Sequence, residues 1–302
     1  MLLDKFVGQD EIVDTLKIYT KIAKEQNRML DHVLIYGLAG HGKTTLAKII
    51  GELMEQEVVI LNAGNIKSKN DLLAVITHLN GRMLFLDELH QLSLEICEEL
   101  YAILQDNKMH ILLGDGVNKR SYSLDVDPFT LIGATTMPEK IPKPLLDRLG
   151  IKIKLRNYSN KELYTIIQNN LNVTVQEDVS VLIMRAGNYT PRVIINVCKR
   201  LNDLANYYRF EIINHQNIKV LFKHLNINIF GYDQDVMEVL DTLYYDFDQD
   251  YVGEKTLINC LTINKKQYLE EIEPFMLKEQ LLIKNKLGRK IAPNGINIIE
   301  SN

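Results

Sequence analysis

The chain has 302 residues, 46% hydrophobic and 25% charged, which suits a globular protein of two or three packed domains and excludes a disordered or fibrous chain. A net charge of -4 rules out a whole-molecule field for nucleic acid, so any such contact must come from a local basic patch. No apolar run approaches the roughly 18 residues of a membrane span, Asp4 interrupts any leader-like N-terminus, and Cys97, Cys198 and Cys260 form no C-x-x-C pair; a cytoplasmic protein with buried, inert thiols is expected.

In chain order, residues 32–36 (HVLIY) form an apolar run suited to a buried strand, residues 37–45 (GLAGHGKTT) a glycine loop, and residues 44–53 carry the apolar spacing of a helix. Further short β-rich runs at 57–61, 83–87, 129–134 and 151–155 alternate with helical patterns, which predicts a parallel sheet flanked by helices. A β-hairpin between 109 and 126, turning on a Gly-rich segment, is expected to project from this domain. After Tyr158 the strands are expected to stop, leaving helices near 160–170, 177–186, 190–208 and 214–224. The third of these has Thr190 as N-cap and Pro191 as first helical residue, with Val193, Ile194, Val197, Leu201, Leu204 and Tyr208 assigned to one face. Helices at 233–246, 254–261 and 265–278, followed by strands around Gly288, predict a winged-helix module.

The chemistry starts at the glycine loop. Gly37, Gly42, Lys43 and Thr44 satisfy G-x-x-x-x-G-K-[ST], a loop whose backbone N–H groups cradle phosphates at the positive end of the following helix. Lys43 is expected on the β- and γ-phosphates of a nucleotide and Thr44 on Mg²⁺. The strand at 83–87 ends in Asp87 and Glu88, a carboxylate pair placed at a sheet edge to hold Mg²⁺ through its water shell and to deprotonate an attacking water. The strand at 129–134 leads to Thr135 and Thr136, either of which could reach the γ-phosphate or the water. Arg148 and Arg192 offer guanidinium groups shaped for transition-state charge, although a lone arginine is more commonly a surface ion-pair partner. His41 and His90 show no metal-ligand spacing.

With these motifs in place, the chain resembles the RuvB family of AAA+ ATPases. The resemblance rests on LDKFVGQDEI at 3–12, LDHVLIYGLAGHGKTTLAKII at 30–50, LFLDELHQL at 84–92, PFTLIGATT at 128–136, PLLDRLGI at 144–151 and TPRVIINVCKRL at 190–201. It implies an α/β P-loop AAA+ domain at 1–158, a small all-α lid at 159–229 and a winged-helix DNA-binding head at 230–302. It implies ATP hydrolysis with Mg²⁺, a homo-hexameric ring around duplex DNA acting on four-way junctions, and a RuvA-type partner docking on the hairpin at 109–126. By the same resemblance Asp87 and Glu88 are the Walker B pair, Thr136 is sensor 1, Arg148 is an arginine finger for a neighbouring subunit, and Arg192 is sensor 2. Gly40, Thr45, Tyr158 and Gln105, Asp106 and Asn107 fall where the family lines its nucleotide pocket.

The departures carry expectations too. Only Met1 and Leu2 precede Leu3, where the family has a Leu-Arg-Pro segment over the adenine, so either base contacts are weaker or the true start lies further upstream. Leu38, Ala39 and His41 alter the loop's stiffness and spare its phosphate-facing residues, while Gln105, Asn107 and Met137 change groups implicated in coupling between subunits. In the wing, Lys284 and Arg289 fall at or near the family's DNA-contacting arginines. Residues 278–290 hold Lys278, Lys284, Lys286, Arg289 and Lys290 against Glu279, a local charge of +4 suited to phosphate contact. Two rival readings remain at this point: a clamp-loader or replication-initiator relative, and a nucleotide-gated DNA scaffold without turnover.

Overall fold

The computed structural model describes residues 2–113 and 120–301, and of residues 110–113, 120 and 121 the backbone alone. The chain folds as two compact units, Met1–Tyr158 and Ser159–Asn302.

In chain order the first unit contains α1 (Asp10–Glu25), β1 (Val33–Tyr36), α2 (Lys43–Met54), β2 (Val58–Asn62), α3 (Lys69–Thr77), β3 (Met83–Asp87), α4 (Leu94–Asp106), β4 (Lys108–Leu113), β5 (Arg120–Asp125), β6 (Leu131–Thr135), α5 (Lys143–Arg148) and β7 (Ile151–Lys154). The five expected strands form one parallel sheet in the order β2-β3-β6-β1-β7. Because strand side chains alternate, each strand feeds two cores. Val33, Ile35, Met83, Phe85, Ile132 and Ala134 join residues of α1 and α2 on one face. Leu34, Leu84, Leu86 and Leu131 join α3, α4 and α5 on the other. Ser68 and Ser93 cap α3 and α4, the first in a reciprocal capping box with Asp71.

Register decides where the chemistry collects. Tyr36 pairs with Thr135 and Asn62 with Asp87, so the segments following β1, β3 and β6 all emerge at the sheet's C-terminal edge. β4 and β5 pair antiparallel from Lys108 opposite Asp125 to Leu113 opposite Arg120, the hairpin expected at 109–126; its Gly-rich turn lies outside the described residues.

The second unit runs α6 (Asn160–Asn170), β8 (Thr174–Val175), α7 (Glu177–Ala186), α8 (Pro191–Tyr208), β9 (Ile212–Ile213), α9 (His215–His224), α10 (Gln234–Asp241), α11 (Glu254–Cys260), α12 (Lys265–Gln267), α13 (Glu273–Lys278), β10 (Leu282–Asn285), β11 (Gly288–Ile291) and α14 (Pro293–Ser301). Several expectations need correction. Strands do not stop at Tyr158: β8 and β9 pair parallel, too short to show any periodicity. Thr190 occupies the N-cap position, but its hydroxyl donates back to the Asn188 carbonyl and caps no helix N–H. The buried face of α8 is Pro191, Ile194, Cys198, Leu201 and Ala205, leaving Val193 38% exposed. This rotation admits small Cys198 and Ala205 to the core, residues that an apolar stripe of large side chains passes over. Single π-type turns at Thr242–Asp246 and Tyr268–Ile272 interrupt two helices expected to run through, and α14 was not anticipated. Cys97 and Cys198 are buried, and burial pushes their thiols up to about 11 and about 12, whereas Cys260 is exposed.

Candidate active site

The phosphate loop begins where β1 ends, tied to the neighbouring strand by the Gly37 N–H, which donates to the Thr135 carbonyl at 3.3 Å. Lys43 opens α2 with its side chain folded inward, 7% exposed, donating to the carbonyls of Gly37 (2.9 Å) and Leu38 (3.1 Å). The ammonium thus sits inside the loop's own curl, where phosphate oxygens can replace those carbonyls as acceptors. Gly42 has φ 99°, and a Cβ there would lie 3.2 Å from Phe6 Cε2 and 3.5 Å from the Tyr158 hydroxyl; both rings lie against the loop. Tyr158 donates to the His41 carbonyl at 3.1 Å, with the two rings 5.9 Å apart. His41, 4% exposed, places Nδ1 3.0 Å from the Ala39 carbonyl, so its imidazole is turned into the loop.

Asp87 ends β3, and its Oδ1 accepts the Glu88 N–H at 3.0 Å. Glu88 then adopts a left-handed conformation (φ 53°), which turns its side chain back toward the 3-10 turn Leu89–Gln91. Its Oε2 lies 3.3 Å from His90 Nδ1 but is buried without a well-formed hydrogen bond. His90 Nδ1 is also 3.0 Å from Thr135 Oγ1, which in turn accepts the Met137 N–H at 3.0 Å. Thr135 is fully buried and committed to these partners; Thr136, the next residue, is half-buried. Gly133 makes this approach possible, because a Cβ on it would meet Leu89 Cδ2 at 2.6 Å.

The structure brings together Gly37, Gly40, Gly42, Lys43, Thr44, Thr45, Asp87, Glu88, Thr136 and Tyr158 around the C-terminal edge of the sheet or on the loop and helix that border it. Arg148 lies elsewhere. It ends α5 just before β7, whose first residue follows the N-terminal end of β1 (Ile151 N–H to the His32 carbonyl, 3.1 Å). Its charge reaches His32, an imidazole pushed down mainly by burial, partly restored by Asp31 and lowered further by Arg148. Four residues of β1, about 13 Å of strand, separate this edge from the phosphate loop. Arg148 is exposed, donating to Gln105 Oε1 at 2.7 Å and lying 5.3 Å over the Tyr101 ring, both on α4. Gln105, Asp106 and Asn107 therefore sit at the C-terminal end of α4 with Arg148, not with Lys43; the Asn107 carbonyl accepts the Val126 N–H where the hairpin closes. Arg192 lies on the exposed first turn of α8, in the second unit.

Sequence reasoning missed Gln9. It is 1% exposed, with φ 58°, and its amide donates to the Arg156 carbonyl (2.8 Å) and accepts the Arg156 N–H (3.2 Å). This pair of hydrogen bonds fastens the N-terminal segment bearing Phe6 to the segment bearing Tyr158. Its partner lies 147 residues away, so nothing local in the sequence marks Gln9.

In the wing, Lys284 and Arg289 face each other across β10 and β11. Arg289 is 6% exposed; it donates through Nε to Glu273 (2.5 Å) and through NH2 to Glu254 (2.8 Å). The expected role of Arg289 on DNA is corrected accordingly, because a guanidinium enclosed by two carboxylates faces the head's core and not a phosphate. Lys284 is exposed on its strand but also pairs with Glu273 at 2.7 Å. Burial raises the Glu273 carboxyl, the hydrogen bonds from Arg289 and Lys284 outweigh it, and the net value lies below the usual carboxylate range.

Comparison with known proteins agrees with this geometry. Residues 1–155 match the model of the Holliday junction DNA helicase RuvB P-loop domain, and residues 230–300 match the RuvB C-terminal winged helix domain. The chain is 34% identical to the Holliday junction branch migration complex subunit RuvB of Mycoplasmopsis pulmonis, covering 98% of this chain and 95% of that protein. It is 33% identical to the subunit of the same name from Campylobacter lari, over 98% and 89%. The structure of the Thermotoga maritima RuvB Holliday junction branch migration motor superimposes with a TM-score of 0.79 at 28% identity, over 99% of both chains. A sheet edge that gathers a phosphate loop, a carboxylate pair and a threonine turn is thus what a nucleotide-binding P-loop ATPase domain requires, and the chain belongs to the RuvB family.

Proposed function

We propose that this protein is an ATP-driven DNA motor that moves Holliday junctions, working as a homo-hexameric ring on duplex DNA with a RuvA-type partner. The observation that carries the reading is the split site: Lys43, Asp87, Glu88 and Thr136 belong to the C-terminal edge of the sheet, and Arg148 with Gln105 to the opposite edge. An arginine so placed can complete only a neighbour's site, which makes hydrolysis depend on assembly.

The donor set fits ATP with Mg²⁺. The loop and Lys43 receive the phosphates, Thr44 and Asp87 are the groups that would hold the metal, and bound Mg²⁺ would neutralise charge on the β- and γ-oxygens. Tyr158, Phe6 and the Gln9 clasp close the loop's outer side. Glu88 takes a proton from the attacking water, whose oxygen bonds the γ-phosphorus as the bridging P–O bond to the β-phosphate breaks. Thr136 marks the γ-phosphate, Arg148 of the adjacent subunit stabilises the equatorial charge, and Arg192 reports nucleotide state to the lid. The division into a large domain at 1–158, a lid at 159–229 and a head at 230–302 belongs to this reading.

With Arg289 buried, DNA contact falls to Lys284, Lys286, Lys278 and Lys290 on or near the wing. The β4–β5 hairpin carries Tyr122 (50% exposed) and Leu124 (37% exposed), apolar groups suited to a protein partner. Among the described residues no helix is long and apolar enough to cross a membrane; a cytoplasmic site of action is part of the proposal.

The test is ATP turnover and strand exchange measured together on a synthetic four-way junction, with and without a RuvA-type protein. Partner-dependent strand exchange that disappears in Arg148→Ala is the expected result. ATP turnover without junction processing would instead favour a clamp-loader or initiator role, and binding without turnover a scaffold.

A further inference from the structure

The turn after β3 holds a contact that the proposed mechanism leaves unused. Nδ1 of His90 stands between two acceptors, 3.0 Å from Thr135 Oγ1 and 3.3 Å from Glu88 Oε2. The ring is enclosed, its side chain 13% exposed, and Glu88 Oε2 is buried with no aligned donor. A neutral imidazole facing a carboxylate this closely favours the tautomer with its proton on Nδ1, since a bare lone pair there would repel the anion. That single N–H cannot align with both oxygens, and in this conformation it serves the hydroxyl.

We propose that His90 is a positioning residue for hydrolysis, transferring its Nδ1–H from Thr135 to Glu88 when the adjacent Thr136 engages the γ-phosphate. The inference rests on the reading of Glu88 as the base. Its mechanical path is short: Thr135 and Thr136 are consecutive, and the Met137 N–H binds the Thr135 hydroxyl, so capture of a phosphate by Thr136 pulls directly on the oxygen His90 now holds. Released from Thr135, the N–H fixes Oε2 of Glu88 and leaves the other carboxylate oxygen to accept the water proton. Gly133 supports the arrangement from below, since a Cβ there would meet Leu89 Cδ2, one residue before His90, at 2.6 Å.

The chain as a whole, assayed for ATP turnover with Mg²⁺ and duplex DNA, supplies the test through His90→Ala, His90→Asn and His90→Gln. Asparagine places an amide N–H near the position of Nδ1, glutamine near Nε2. For His90→Ala, kcat should fall about tenfold or more with the ATP KM within about twofold of wild type, as expected when a reacting group loses its alignment but substrate binding survives. His90→Asn should recover most of that loss and His90→Gln should not. Wild-type kcat in His90→Ala, equal behaviour of Asn and Gln, or a loss confined to KM would each overturn the proposal. If His90→Ala fails to fold, the contrast between Asn and Gln decides alone. Glu88→Gln separates the two layers: loss of turnover there with an unaffected His90→Ala removes this inference only, whereas wild-type turnover in Glu88→Gln removes the base assignment beneath it.

Discussion

Arg289 and Glu273 are 6% and 3% exposed and hold each other at 2.5 Å, with Lys284 and Glu254 completing the cluster. Removing one member of such a pair leaves a charge stranded in the core, a loss of about 3–5 kcal/mol in comparable cases. Arg289→Met is therefore expected to unfold the head at markedly lower denaturant concentration, seen in equilibrium unfolding of the whole chain. Lys286, exposed at the hairpin turn, has the opposite character. Lys286→Ala should leave stability unchanged and reduce the slope of log K for duplex DNA against log salt by about one. Unchanged stability in Arg289→Met would mean the cluster is not a unit. The same cluster sets an acid response: a carboxyl whose folded value lies below its unfolded one stabilises the fold above the unfolded value, near pH 4.3, and that contribution disappears as pH falls through the folded value. Thermal unfolding followed from pH 6 to pH 3 should show a steeper acid loss in wild type than in Glu273→Gln, after allowing for the variant's lower starting stability.

At the scale of elements, the turn between β3 and α4 matters more than either element alone. Gly133→Ala would put a methyl 2.6 Å from Leu89 Cδ2 in a fully buried layer, so the Leu89 side chain must repack and, where the layer leaves it no room, the turn must shift. Overpacking of this kind costs about 1–3 kcal/mol, and the displaced turn carries Glu88 and His90. The expected outcome is a lower melting temperature together with a lower kcat at unchanged DNA affinity; a variant with wild-type kcat would show the turn to be tolerant. This turn also marks the limit of what the amino-acid sequence conveys. Strands β1, β3 and β6 are legible as apolar runs because both their faces are buried, the edge strands β2 and β7 because they stay β-rich although partly exposed, and Lys43, Thr44, Asp87 and Glu88 because their motifs are local. Gln9 clasping Arg156, 147 residues away, has no local signature, and neither does Thr135 bonding to His90 across 45 residues. Arg289 reads as a surface cation in sequence because the two acids that enclose it lie 16 and 35 residues upstream. Helix interruptions at Thr242–Asp246 and Tyr268–Ile272 escape for a related reason, since an extra residue in a turn barely perturbs apolar spacing.

For the molecule as a whole, the decisive fact is that the phosphate loop and Arg148 stand at opposite edges of one sheet. The phosphate loop follows the C-terminal end of β1, while Arg148, fastened to α4 by Gln105 and Tyr101, stands beside the residue that precedes its N-terminal end. Bending the side chain back cannot close about 13 Å of intervening strand, so one chain cannot place both groups on the same γ-phosphate. In the proposed ring of identical subunits one heterologous contact would repeat, each subunit lending its arginine to the next. Lys43→Ala and Arg148→Ala then damage different subunits of the same site, and mixing the two inactive proteins should restore turnover. At a one-to-one ratio with random assembly, about a quarter of the interfaces join an intact Lys43 to an intact neighbouring Arg148. Turnover should approach that fraction of wild type if sites fire independently, and fall below it if hydrolysis must pass around the ring. A mixture as inactive as its components, in assemblies shown to contain both chains, would leave Arg148 without a role in the neighbour's site or would require every site to be whole. Mixing each variant with wild type separates these, because a ring that needs all its sites loses activity far faster than the variant fraction rises.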